Sequence, residues 1–191
     1  MLNLRKCGQA ELGRAWPVFD LEFDKKELLP RLAVRKAMLK GDMELLAIYD
    51  EESRIDVAYA LTACRGAYGY VLLKYFTVLP WYREKGLGVQ AMRLINKRYA
   101  DRQGILAELT DFSGEEGEPT LRALRKFFAR FGYVELDADE QIGGVRAHVM
   151  VKPLKGTAEI QPIVHRVLRD FYDRMLLPVD FGKLPDIRAR R

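Results

Sequence analysis

Apolar and polar positions divide the first eighty residues into two helical stretches and four β-like runs. Leu2-Asn3-Leu4-Arg5-Lys6 alternates and predicts a short opening strand. Leu12, Trp16 and Phe19 recur at helical spacing within Gln9 to Phe23, a stretch that Pro17 should break or kink. A second helix is predicted from Glu27 to Lys40, with Leu28, Leu32, Arg35 and Leu39 on one side and Gly41 as its stop. Glu44–Tyr49 and Ile55–Cys64 read as strands joined by the polar connection Asp50–Arg54. Tyr70–Val78 reads as a third strand of this meander. It is apolar on both sides for most of its length, as a strand covered on both faces would be.

The second half changes rhythm. Val89, Met92, Ile95 and Tyr99 mark a helix over residues 89–100, and Ile105–Leu109 is the next strand, expected parallel to Tyr70–Val78. Asp111 to Pro119 reads as a flexible acidic loop, and Thr120 to Phe131 as a late helix closed by Gly132. Tyr133–Leu136 and Val145–Val151 predict a hairpin around residues 137–144. From Thr157 to Met175, Ile160, Val164, Leu168, Phe171 and Met175 keep helical spacing, with Pro162 tolerable only near the start. Such a helix most often covers its own domain, with a dimer contact or a lid over a cleft as the alternatives. Leu177–Arg191 reads as an irregular tail.

The most informative junction lies where the third strand stops. Leu79-Pro80 ends it, because proline offers no N–H to a ladder. Trp81-Tyr82-Arg83-Glu84-Lys85-Gly86-Leu87-Gly88 then leads into the helix that begins near Val89. The first N–H groups of a helix have no internal partner, and the helix dipole adds partial positive charge there. Gly86 and Gly88 allow backbone amides to close on an anion, and Arg83 and Lys85 add full charges. The order strand, basic glycine loop, helix is thus a phosphate cradle; glycine at a strand–turn–helix junction for steric reasons alone is the plainer reading.

Arg83-x-x-Gly86-x-Gly88 after a strand ending in Val78 resembles the acyl-CoA pyrophosphate loop of the GNAT superfamily of N-acyltransferases. Arg125 to Tyr133, with Gly132-Tyr133 at its end, resembles that superfamily's late helix and its Gly-aromatic turn. The resemblance covers residues 1–154 and is strongest from Tyr70 to Tyr133. Glu27 before Leu28-Leu29-Pro30 resembles a group of small bacterial members of largely unassigned substrate. It implies an α/β fold with a mixed, mainly antiparallel twisted sheet, split near Val78 at the acyl-CoA cleft and flanked by helices. Residues 155–191 would add a C-terminal helix and tail.

By that resemblance the co-substrate is acetyl-CoA and the acceptor is a primary amine of a small molecule or peptide. Backbone groups of Phe76 and Val78 would take the pantetheine arm, and Arg83, Glu84, Lys85, Gly86, Leu87, Gly88 and Val89 the pyrophosphate. Phe23, Glu27 and Tyr75 would border the acceptor; Glu27 as a first-turn helix carboxylate is the structural alternative. Acyl transfer also needs a base for the ammonium and stabilisation of the leaving thiolate. Glu108 lies in the apolar run Ile105–Leu109, the setting in which burial tunes a carboxylate toward base work; pairing with Arg122 or Arg125 is the structural alternative. Many relatives place a tyrosine near the sulfur at the position held here by Phe128, which has no proton to give. Tyr133, Tyr75 or Tyr82 could replace it, or the thiolate could leave unaided. A protein that binds acyl-CoA without turnover is a second reading.

Composition adds little. The chain has 191 residues and a formal net charge of +5, with basic residues spread along it and the one dense cluster at Arg188, Arg190 and Arg191. That balance suits a polyphosphate ligand as well as nucleic acid, which makes a nucleic-acid module the weakest reading. No apolar run approaches the ~20 residues of a membrane span, and the N-terminus lacks a signal-peptide core. Two cysteines (Cys7, Cys64) and two histidines (His148, His165) are scattered and predict no metal site. Cytoplasmic placement with reduced thiols follows as the expectation. Trp16 is expected in the core and Trp81 against the strand end, with Cys64 as buried filler.

Overall fold

The structure, a computed structural model, describes residues 1–111, 117–142, 145–155, 160–176 and 186–189. Leu2–Cys7 forms β1 and Gln9–Glu22 forms α1, which continues through Pro17 instead of breaking there. The next helix, α2, starts only at Arg31 and ends at Lys40. Pro30 sets that start, since the residue before a proline is driven to extended backbone, and Gly41 closes the helix in the left-handed region (φ 76°). The predicted leucine face is not the buried one. Ala33, Val34 and Ala37 face the core, while Leu32 and Leu39 are exposed, because only small side chains fit where α2 lies close to the sheet and the C-terminal helix.

Met43–Asp50 (β2), Asp56–Ala63 (β3) and Tyr70–Val78 (β4) form the predicted meander. Leu87–Arg98 is α3, Gly104–Thr110 is β5 and Gly117–Ala129 is α4; the predicted acidic loop falls largely on residues outside those described. Val134–Ile142 (β6) and Val145–Pro153 (β7) run well past the predicted hairpin. The C-terminal helix α5 is shorter than its periodicity suggests, Val164–Met175, after a single 3₁₀ turn at Gln161–Ile163 that accommodates Pro162. Asp186–Ala189, expected to be irregular, forms an eighth strand, β8.

The strands make one sheet in the order β1-β2-β3-β4-β5-β7-β6-β8. All pairs are antiparallel except β4 with β5, where α3 forms the crossover. One face is covered by α1, α2 and α5 through Trp16, Phe19, Val34, Leu168 and Phe171. The other is covered by α3 and α4 through Met92, Ile95, Leu121 and Phe128. The side chains of α5 share the first of these clusters with the sheet; Val164, Val167, Leu168, Phe171, Tyr172 and Met175 are each at most 1% exposed.

Candidate active site

The parallel ladder between β4 and β5 is short. It pairs Tyr70 with Gly104 and ends at Leu73 with Ala107, while β4 stays paired with β3 as far as Val78. The sheet therefore splits from Lys74 and Glu108 onward, deeper than the split near Val78 read from sequence. A cleft of about 640 Å³ occupies the gap and is lined by residues from both faces of the sheet. Glu22, Phe23 and Glu27 line it on one side and Gly88, Leu124, Phe127 and Phe128 on the other. Phe76, Val78 and Arg83 also reach it, whereas Glu84, Lys85, Gly86, Leu87, Val89, Tyr75 and Tyr133 do not line it.

At the mouth, Gly86 is the N-cap of α3 with φ 70°, and no side chain caps the helix. A non-glycine residue, Glu84, is also left-handed (φ 63°), a conformation costing about 1–2 kcal/mol. A Cβ on Gly88 would meet the Val78 side chain at 3.4 Å, an ordinary contact, so a side chain there would sit between the helix start and the strand end without a clash. Arg83 is not idle. Its Nε donates to the Val78 carbonyl at 3.1 Å and its guanidinium pairs with Glu22, tying the strand end to α1. Lys85 Nζ donates to the Trp81 carbonyl at 3.2 Å. Trp81 itself is 79% exposed, so it does not pack at the strand end as expected.

Sequence reading missed Lys74. The register of β4 against β3 slips by one residue, with Leu61 opposite Tyr75 and Thr62 opposite Leu73, which leaves Lys74 as the extra residue of a bulge. Its ammonium lies 2.5 Å from Glu108 Oε2, and each side chain is 2% exposed. Lys74 Nζ also donates to the Tyr172 hydroxyl at 2.6 Å, and that hydroxyl donates to Glu108 at 2.8 and 2.9 Å. Neither Arg122 nor Arg125 is Glu108's partner: Arg122 pairs with Glu118 at 3.4 Å, and Arg125 pairs with Glu135 at 3.0 Å beside His148. A lone lysine in an apolar strand was the available signal, since a buried ammonium requires a partner.

Glu27 lies in the turn before α2, not in its first turn, so the helix-dipole reading is corrected. It is 8% exposed, accepts hydrogen bonds from Asp24 N (3.0 Å) and the Thr110 hydroxyl, and lines the cleft. Burial holds its pKa above the usual carboxylate value, against the lowering effects of those bonds and of Lys74. Tyr75 buttresses this turn: its hydroxyl donates to the Glu27 carbonyl at 3.0 Å and accepts from Leu29 N at 2.7 Å. Tyr133 sits behind Phe128, ring centroids 5.0 Å apart, and donates to Asn96 Oδ1 at 3.2 Å. Burial raises its pKa well above that of free tyrosine. Burial likewise lifts the Cys64 thiol to about 11, as an inert filler requires.

Comparison with solved structures identifies the architecture. The chain has the fold of the GNAT-family acetyltransferases. A protein described as a GNAT-family acetyltransferase from Bacteroides thetaiotaomicron superposes with TM-score 0.70 at 12% identity, covering 87% of this chain and 96% of its own. An N-acetyltransferase from Staphylococcus aureus gives TM-score 0.59 at 11% identity over 81% of this chain and 99% of its own. The Salmonella typhimurium protein yncA, solved with acetyl-CoA, gives 0.56 at 17% over 83% and 96%. No protein-family model matches the sequence, and no curated protein is similar to it.

Proposed function

We propose that the protein is an N-acetyltransferase that moves an acetyl group from acetyl-CoA to a primary amine of a small molecule or peptide. One observation carries this reading. The split between β4 and β5 connects an uncapped, glycine-lined helix start to a buried group of ionisable side chains through the sheet. The first places a phosphate-bearing ligand and the second supplies acid–base chemistry.

The residues present fit acetyl-CoA, which brings an activated acyl group to the cleft. The amides at Gly86 to Val89, with Lys85 beside them, would hold the pyrophosphate. The edge of β4 from Lys74 to Val78, released from β5, offers main-chain groups to an extended arm. Phe76, Phe127 and Phe128 exclude water along one wall. Glu27 is the base: its carboxylate faces the cleft, and its raised pKa brings it nearer to working pH. Glu108, predicted as the base, has both oxygens engaged by Lys74 and Tyr172 and holds the apex in place. Phe23 shapes the acceptor side.

Calorimetric titration with acetyl-CoA tests the reading. At about a hundred times the dissociation constant, the ligand should add roughly 2.7 kcal/mol of stability in a thermal-shift scan. A screen of amines for thiol release then separates turnover from binding alone. Absence of acetyl-CoA binding overturns the proposal.

A further inference from the structure

The chemistry leaves one role unfilled, stabilisation of the leaving thiolate, and Phe128 has no hydroxyl to fill it. Several other polar side chains of the cleft are held by neighbours. Arg83 is held at the mouth by Val78 and Glu22, Thr77 donates to the Val78 carbonyl, and Thr110 donates to Glu27. Tyr133 is turned to Asn96, and the Tyr75 hydroxyl is used by the turn before α2. Lys74 differs. Two of its three ammonium protons go to Glu108 and Tyr172, and the third has no acceptor among the described residues.

Its placement is specific. Leu72 and Tyr75 point to the face covered by α1, α2 and α5, and Leu73 and Phe76 to the other face. Strand alternation is therefore unbroken if Lys74 is skipped. The bulge sets the ammonium on the same face as Tyr75, at the point where the strands part.

We propose that the Lys74 ammonium stabilises the leaving thiolate by donating a hydrogen bond to it, and that Tyr172, on α5, and Glu108 are its positioning residues. The inference rests on the acetyl-CoA reading and gives the C-terminal helix a share in catalysis. As the acceptor nitrogen bonds to the acyl carbon, the carbon–sulfur bond breaks. The proton lost by nitrogen goes to Glu27, and the charge left on sulfur is held as a thiolate by the free N–H of the Lys74 ammonium, which keeps its proton; Glu27 then gives its proton to water in the cleft. The groups facing Lys74 are Glu108 from β5, Tyr172 from α5, the Tyr75 ring at 5.7 Å and, across the cleft, Glu27. A neighbouring cation favours the ionised form of an acid, so the same ammonium should ease ionisation of a thiol brought beside it.

Coenzyme A itself, with its free thiol, is the probe, and thiolate absorbance of the bound ligand is the readout, needing no acceptor. With the full chain, the bound thiol should ionise about one to three pH units below the free one. The double substitution Lys74→Met/Glu108→Gln removes both charges and leaves no unpaired ion. At a pH low enough to keep the thiol protonated in both proteins, it should bind coenzyme A with affinity within about threefold of the parent, with its thiol ionising as in solution. Tyr172→Phe, which removes one hydroxyl and tests the same point should the double variant not fold, should bind equally well with a reduced shift. Binding by the unaltered chain with no shift, or with the same shift in the variants, overturns the assignment of Lys74 alone. Failure of the unaltered chain to bind coenzyme A overturns it together with the acetyl-CoA reading.

Discussion

The two ends of the cleft are built on opposite plans. At the mouth, the features proposed to bind an anion come from one continuous segment, Arg83 to Val89, and depend on main-chain geometry and glycine. At the apex, three side chains 34 and 64 positions apart along the chain, Lys74, Glu108 and Tyr172, meet through two strands and the last helix. A continuous segment carries its own signature. A meeting point of distant residues exists only once the sheet, the bulge and α5 are in place. The mouth should therefore fail locally when altered, while alterations at the apex should be felt in folding as well as in chemistry.

Substitutions that discriminate between the ends follow from that difference. Gly88→Asp places a carboxylate at the helix start, against Val78, and should take acetyl-CoA binding below calorimetric detection while leaving the unfolding midpoint nearly unchanged. A large loss of stability instead would show that the mouth is not a local unit. Glu108→Leu strands a buried ammonium and should cost about 3–5 kcal/mol in urea unfolding, most of it recovered by adding Lys74→Met. Equal cost in the single and double variants would mean that the pair is not the source.

Glu27→Gln should lower kcat by about a hundredfold with acetyl-CoA affinity kept. Its effect on stability has the opposite sign. Burial raises the folded-state pKa of Glu27, so its contribution is complete below the unfolded value near 4.5 and is lost as pH rises through the folded value. The variant should thus melt higher than the parent at pH 7 and equally at pH 4. Phe128→Tyr is the mildest change. With Lys74 stabilising the thiolate, kcat should stay within about twofold, and a tenfold rise would return that role to this helix position.

Most of the fold was legible. Tyr70–Val78 matches β4 residue for residue, because a long apolar run between Gly69 and Pro80 has few other solutions. The glycine loop and the left-handed stops at Gly41 and Gly132 were legible for the same local reason. Errors came where tertiary contact outweighed local pattern. The leucines of α2 suggested one buried face and close approach selected the alanines; β8 formed in a tail without strand rhythm because β6 offered an open edge. At the site, Glu27 and Glu108 could be nominated from sequence. The partner of Glu108 could not, since a bulge and a helix 64 residues downstream decide it.

The bulge also makes the site separable from the fold at the level of the gene. Because Leu73 and Tyr75 already alternate, an in-frame deletion of the single Lys74 codon would leave every neighbouring strand pair in register. What would vanish is the ammonium, leaving the Glu108 carboxylate buried without its ion-pair partner, so strand register would survive while stability fell. The lysine is thus an insertion whose loss spares the pairing of the strands but not the charge balance of the apex, so its removal is tolerable only together with neutralisation of Glu108.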